Sequence, residues 1–399
     1  MIDFSRLVTG KIQPGDELRY RRKGKTPHYL LRYEKNARPI VVWNMTRLCN
    51  LRCIHCYADA KDKPHPLELT TEEAKRMIDD LADLGVPVLL FSGGEPYMRE
   101  DLFELGAYAK EKGIRTVISS NGTLIDREMA KKTKEAGFSY VGVSLDGGNR
   151  EVNDKFRGVK GAFDKALEGI RNLREAKVKV GLRFTITAYN YQTIQELFEL
   201  MEREEINRIC FYHLVYSGRG KKLTRAELSP EETRKIIDMI IEKVKELDKK
   251  GKMIEVLTVD NHADGPYLYL KMLKEDPERA KQIYELLKLN GGNGSGTRIA
   301  NIDWLGNVHP DQFWWNHTLG NVKERPFSEI WYDENNEFLM KLKEKKKWVK
   351  GRCASCRFLE ICGGNFRARA EAVYGDPWAP DPACYLTDEE IGLKGAEVK

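Results

Sequence analysis

Between about residues 39 and 220 the chain alternates short apolar, β-branched runs with longer amphipathic stretches, and this pattern limits its folds more than any other feature. The runs fall at 40–43, 86–91, 115–119, 140–145, 178–187 and 208–215. Helical periodicity fills the gaps, at 71–84, 101–112, 126–135, 162–175 and 191–204. Strands separated by helices of that length return to one sheet in parallel, by right-handed crossovers. Six such units predict an α/β fold, an open and partial (β/α)6 barrel. Ligands of such a sheet gather at the carboxyl ends of its strands. The polar motifs of this chain begin where the strands end, so they fall on that face.

Cys49, Cys53 and Cys56 follow the first strand with C-x3-C-x2-C spacing, and three thiolates so close can reach one small inorganic centre. On a cubane of four irons they leave one iron open to a ligand. The rival is a zinc knuckle with His55 or His65 as fourth ligand, which leaves the following Gly93-Gly94-Glu95-Pro96 turn unexplained. A second set, Cys353-x2-Cys356-x5-Cys362 with Cys384 after an interval of 21 residues, offers four thiolates and no open position. A four-cysteine zinc site is the rival there. Cys210, in the sixth strand, reads as a small buried apolar residue. Seven of eight cysteines in clusters point to metal work in a reducing cytosol and away from disulfides.

Cys49-Asn50-Leu51-Arg52-Cys53-Ile54-His55-Cys56-Tyr57 is followed by Ser92-Gly93-Gly94-Glu95-Pro96, Ser120-Asn121-Gly122-Thr123 and Val143-Ser144-Leu145-Asp146-Gly147. This ordered set resembles the radical S-adenosylmethionine (SAM) superfamily. The resemblance implies a [4Fe–4S] cluster on Cys49, Cys53 and Cys56, with SAM on the open iron. It also implies cleavage of SAM to methionine and a 5′-deoxyadenosyl radical that abstracts hydrogen from substrate. SAM contacts are expected at Gly93, Gly94, Glu95, Asn121 and Ser144, while Arg157 and Arg183 are candidates for the SAM carboxylate or a substrate acid. His55 departs from the aromatic residue usual before the third cysteine. The C-terminal cysteines resemble part of the SPASM/twitch extension, in which an auxiliary [4Fe–4S] cluster would sit on Cys353, Cys356, Cys362 and Cys384. A fuller extension has a further cysteine where this chain has Phe366, and another in a Gly-x4-Cys element that corresponds to 306–311. Two clusters in total are therefore expected.

Val42-Trp43-Asn44-Met45-Thr46, Cys56-Tyr57-Ala58-Asp59-Ala60, Asp311-Gln312-Phe313-Trp314-Trp315, Cys362-Gly363-Gly364-Asn365 and the stretch 381–386 resemble the haem-biosynthesis branch of that superfamily. Its 12,18-didecarboxysiroheme deacetylases and their d1-type haem relatives imply an iron-tetrapyrrole substrate and an external low-potential electron donor. Loss of acetate side chains would give iron-coproporphyrin III; propionate removal and peptide maturation are the alternatives. Only 48 residues precede Cys49, too few for the winged module of many peptide-modifying relatives. A cluster protein that only carries electrons is a further alternative, opposed by the open-iron motif. Trp304, Phe313, Trp314 and Trp315 are candidates to line a macrocycle pocket, with core packing as the rival for at least half of them. Arg298, Arg367 and Arg369 are candidates for its acids, and His213, His262, His309 and His317 for its iron.

The 399 residues suffice for a large core or two domains, and a net charge of +6 is too small and dispersed to argue for nucleic acid. With no apolar run of membrane-spanning length, a soluble, cytoplasmic protein is expected. The expected division is an arm at 1–38 with a basic segment at 19–25, a barrel at 39–225, a helical connector at 226–292 and an auxiliary domain at 293–399. The glycine-rich 291–296 reads as a flexible break.

Overall fold

Every expected run forms a strand: β2 (Ile40–Asn44), β3 (Val88–Ser92), β4 (Arg115–Ser120), β5 (Val141–Ser144), β6 (Val180–Ile186) and β7 (Arg208–His213). The computed structural model describes residues 1–13, 16 and 38–393; the basic segment 19–25 lies outside the described residues. Consecutive strands pair in parallel, and β3 is buried along its whole length, because helices cover one face and the barrel interior the other. The helix Thr71–Asp83 begins at a capping box in which Thr70 and Glu73 each accept the other's backbone N–H. The helix Ala162–Glu175 has the bounds its periodicity predicts. A short helix, Arg150–Arg157, was not expected; Asn149 caps it and Gly158 ends it in a left-handed turn.

The segment expected as a helical connector also contributes a strand to the sheet. After the helix Pro230–Lys249 comes β8 (Glu255–Val259), parallel to β7, and β1 (Ile2–Asp3) pairs antiparallel with its outer side. Its helical remainder is two helices, Asp264–Glu275 and Pro277–Asn290, with Pro277 at the start of the second, where its missing N–H costs nothing. The glycine-rich stretch is no flexible break. Gly291 ends the helix with φ +63°, and Gly292 lies so near Cys362 that a Cβ would come 2.0 Å from its carbonyl oxygen.

The C-terminal region continues the same sheet. β9 (Ile299–Ile302) runs parallel to β2, and β10 (Asn307–His309) and β11 (Gly320–Asn321) follow antiparallel. The eleven strands among the described residues stand in the order β1-β8-β7-β6-β5-β4-β3-β2-β9-β10-β11. Short helices and turns carry the chain on through the second cysteine set. No helix among the described residues is long and apolar enough to cross a membrane.

Candidate functional site

The cysteine loop leaves the carboxyl end of β2 and is fastened to the turn after β3. Gly94 N–H donates to Thr46 O at 2.7 Å, and Glu95 N–H to Leu48 O at 2.8 Å. Gly93 adopts φ +137°, and a Cβ on Gly94 would lie 2.1 Å from Leu48 O, so only glycine allows this approach. Cys49, Cys53 and Cys56 share one small apolar patch with Leu51, Val159 and Ala162. Donors already point at the sulfurs. Leu51 N–H meets Cys49 Sγ and Ala60 N–H meets Cys56 Sγ, both at 3.4 Å, and Arg157 Nη1 meets Cys53 Sγ at 3.5 Å. Burial and the nearby Glu95 charge push the Cys49 thiol up to about 12, and burial raises Cys53 against the pull of Arg157. Such sulfurs become thiolates when a metal meets them, and N–H donors to sulfur suit an iron–sulfur centre.

The residues expected to contact SAM divide into two groups. Glu95 is fully buried and accepts from Ser120 Oγ (2.8 Å), Asn121 N (2.7 Å) and Tyr97 N (3.2 Å), while burial lifts its carboxyl to about 7. It ties β3 to β4. Asn121 donates to Asn50 Oδ1 at 2.8 Å and stands 4.0 Å from Cys49 Sγ. Gly93, Gly94, Glu95 and Asn121 thus build the floor under the cysteine loop. Ser144 faces open space at the end of β5.

That space is an open cleft at the carboxyl ends of the strands, lined also by His55, Tyr57, Asp146, Arg157 and Arg183. Asp146 organises its rim: it accepts from Thr185 N at 2.7 Å, ion-pairs Arg157 and lies 3.5 Å from His55 Nε2. His55 packs on Phe156 with ring centres 4.6 Å apart and planes tilted by 46°, and burial lowers its pKa to about 4. Arg183, opposite Ser144 in the sheet, passes over Gly142, where a Cβ would sit 2.4 Å from its Nε. It donates to Ser119 Oγ at 2.9 Å and lies over the Tyr212 ring; no carboxylate among the described residues pairs with it.

A second cavity adjoins the first toward the C-terminal region. Asp311 and Phe366, the two places where a fuller extension has cysteine, both line it. Phe313 lines both spaces and meets Tyr57 edge-on at 5.0 Å. Trp304, Trp314 and Trp315 line neither; Trp314 is core, and Trp304 and Trp315 pack on each other at 4.7 Å. Arg298 and His262 line the second cavity and His213 the first. Arg298, Arg367 and Arg369, all expected to meet substrate acids, are committed to the protein; Arg298 donates to the carbonyls of Asn290, Gly292 and Asn293. Arg367 is fully buried on the carbonyls of Gly364, Pro377 and Ala379, and Arg369 on Asp260 O and Asp381. His309 and His317 are held by Asp303 and Glu371.

The second cysteine set closes on itself. The charges of Cys384, Cys353 and Cys356 all act on Cys362, whose thiol burial pushes well up, and Phe358 N–H points at Cys356 Sγ at 3.4 Å. All eight cysteines are free thiols, and Cys210 is buried in β7. Among the described residues no three His, Cys, Asp or Glu side chains form a site for a lone metal ion.

Comparison with known proteins covers nearly the whole chain. The Radical SAM superfamily matches residues 43–203, and the SPASM iron–sulfur cluster-binding domain matches residues 295–357. The chain is 60% identical over 396 residues to Fe-coproporphyrin III synthase of Methanosarcina barkeri, spanning 98% of this chain and 99% of that protein. It is 42% identical to pre-heme d1 synthase of Dinoroseobacter shibae, over 89% and 88% of the two chains. A solved structure of anSMEcpe with bound AdoMet superposes with a TM-score of 0.69 at 20% identity, over 89% and 96% of the chains, a likeness of fold.

Proposed function

The chain belongs to the radical SAM superfamily, among the haem-biosynthesis enzymes that carry a SPASM iron–sulfur domain, and from that premise we propose that it removes two acetate side chains from 12,18-didecarboxysiroheme to give iron-coproporphyrin III. The observation that carries this reading is the 60% identity with Fe-coproporphyrin III synthase along almost the full length of both chains, against 42% with pre-heme d1 synthase.

The donor sets fit the two clusters. Cys49, Cys53 and Cys56 would hold the SAM-binding [4Fe–4S] centre, with N–H and guanidinium groups already on their sulfurs. Cys353, Cys356, Cys362 and Cys384 would hold the auxiliary one. Bound together, the first cluster and SAM supply a 5′-deoxyadenosyl radical able to abstract hydrogen from carbon. The chain's own residues position and seal that chemistry. Gly93, Gly94, Glu95 and Asn121 fix the height of the cysteine loop. Ser144, Arg157 and the rim around Asp146 border the SAM side of the first cavity.

The tetrapyrrole would enter from the second cavity, where aromatic Phe313 and Phe366 offer flat apolar contact. Arg183, a cation without a carboxylate partner among the described residues, stands on the wall common to both spaces and would take one substrate acid. Electrons for SAM cleavage would come from an external low-potential donor.

Anaerobic turnover of reconstituted, reduced protein with SAM and 12,18-didecarboxysiroheme, read by mass spectrometry, tests the reading. Deoxyadenosine together with loss of two acetate groups is expected. Deoxyadenosine with loss of propionate groups would move the chain to the d1-type reaction. An unchanged tetrapyrrole would refute this substrate.

A further inference from the structure

The two cavities share five lining residues, Arg183, Tyr212, Asp260, Gln312 and Phe313. Asp260 is the one acid among them. It follows β8 directly, at the carboxyl end of a parallel strand, where this kind of sheet places its chemistry. Its backbone is left-handed, with φ +67°, a conformation uncommon outside glycine. Two guanidinium nitrogens of Arg369 grip its carbonyl oxygen and hold that turn in place. The residue is 6% exposed, yet its Oδ2 has no hydrogen-bond partner. A buried carboxyl oxygen left unpaired costs stability, and a strained backbone held by a buried arginine compounds the cost.

We propose that Asp260 is the general acid of side-chain removal, protonating the carboxymethyl fragment as it leaves the macrocycle. The assignment rests on the deacetylase reading above. Loss of a hydrogen atom from the ring carbon beside the one bearing the acetate allows the bond from ring to CH2 to break. The ring gains a carbon–carbon double bond, and the fragment departs as a carboxymethyl radical. One electron from a low-potential iron–sulfur donor and one proton then make it acetate. An electron can arrive over a distance; a proton needs an acid in contact. Asp146 faces only the first cavity and is engaged by Arg157 and Thr185, and Asp311 faces only the second. Asp260 reaches both.

The surroundings suit the role. Burial and the charge of Asp311 push the Asp260 carboxyl up to about 7, against the opposing pull of Arg369, the chain's amino group and His213. Tyr212 faces it from β7. A carboxyl so placed is partly protonated at neutral pH, as an acid catalyst must be.

The test compares holoenzyme with Asp260→Asn and Asp260→Glu variants, all loaded with both clusters. Asparagine tolerates the left-handed turn, so Asp260→Asn preserves the backbone. Wild-type turnover in D2O should release acetate carrying one deuterium, with a rate that falls as pH rises through about 7. Asp260→Asn should release acetate about 10²–10⁴-fold more slowly and lose that pH limb, while deoxyadenosine formation falls far less. Asp260→Glu should recover part of the rate and the limb. Absorbance titration of each protein with didecarboxysiroheme should show retained tetrapyrrole binding. Acetate without deuterium, or an Asp260→Asn enzyme with the wild-type rate and pH profile, would overturn the assignment. So would equal losses of deoxyadenosine, acetate and tetrapyrrole binding, which describe a structural residue. Wild-type protein that cleaves SAM but releases no acetate would refute the deacetylase reading itself, and the assignment with it.

Discussion

Arg183 is half-buried, carries a full positive charge and has no carboxylate partner among the described residues, a state that partial burial of charge penalises unless a ligand supplies the counter-charge. Replacing it with glutamine should leave the iron content unchanged and weaken tetrapyrrole binding by about 10–100-fold, the worth of one charge-assisted contact. An absorbance titration measures it, and unchanged affinity would remove Arg183 from the substrate's contacts. His55 sets a pH dependence of a different kind. Its folded pKa, about 4, lies below the unfolded 6.5, so the unfolded chain binds the extra proton first. The metal-free protein should therefore lose stability as pH falls from about 6.5 toward 4. A His55→Phe variant, which keeps a ring against Phe156, should show a shallower loss in thermal melts across that window. At this scale the sequence revealed the cysteines, because their spacing is local. Asp260 escaped notice because its significance comes from Arg369, Asp311 and two cavities, all distant in the chain. Glu95 was legible as a site residue, but its three donors on Ser120, Asn121 and Tyr97 were not, and they turn it inward.

Among the elements, two glycines act as spacers for the two cysteine loops. Gly94 admits Leu48 O of the first loop, and Gly292 admits Cys362 O of the second. Each Cβ would meet backbone, which cannot swing aside as a side chain can. A Gly94→Ala variant should fail to hold the SAM-binding cluster while keeping the auxiliary one, so that iron per chain falls to about half and SAM cleavage is lost. A Gly292→Ala variant should show the reverse spectroscopic pattern. Iron and sulfide analysis with electron paramagnetic resonance separates the two, and full loading of either variant would contradict the spacer role. The six expected strands could be read because each is a buried apolar run of the right length between helical periods. β8 was hidden because Glu255-Val256-Leu257-Thr258-Val259 is short and lies between charged helices. At Asp276–Pro277 the helical periodicity continues on both sides of a proline able to start a helix, so the connector reads as helical without showing this break. The turn at 291–296 has a flexible composition, yet contacts with Cys362, Asp311 and Arg298 order it.

Across the whole molecule, one sheet joins what the sequence divides into regions. β9 of the auxiliary domain covers the edge of β2, whose Val41, Val42 and Trp43 are buried. Truncation after residue 292 would expose that apolar edge, a template for aggregation. The truncated chain should precipitate or form large oligomers in size-exclusion chromatography, whereas the full chain should melt in one cooperative transition. A soluble, monomeric fragment would show that the auxiliary region is a separable domain. The two flanks of the parallel sheet are also completed late in synthesis. β1 waits for β8, some 250 residues downstream, and β2 waits as long for β9. At ribosomal speeds of about 5–20 residues per second the interval is on the order of ten seconds to a minute. For that time Cys49, Cys53 and Cys56 exist on a nascent chain whose barrel is still open beside them. Delivery of the first cluster therefore has a natural occasion before the last strands arrive, and the order of translation would itself become part of how the enzyme is assembled.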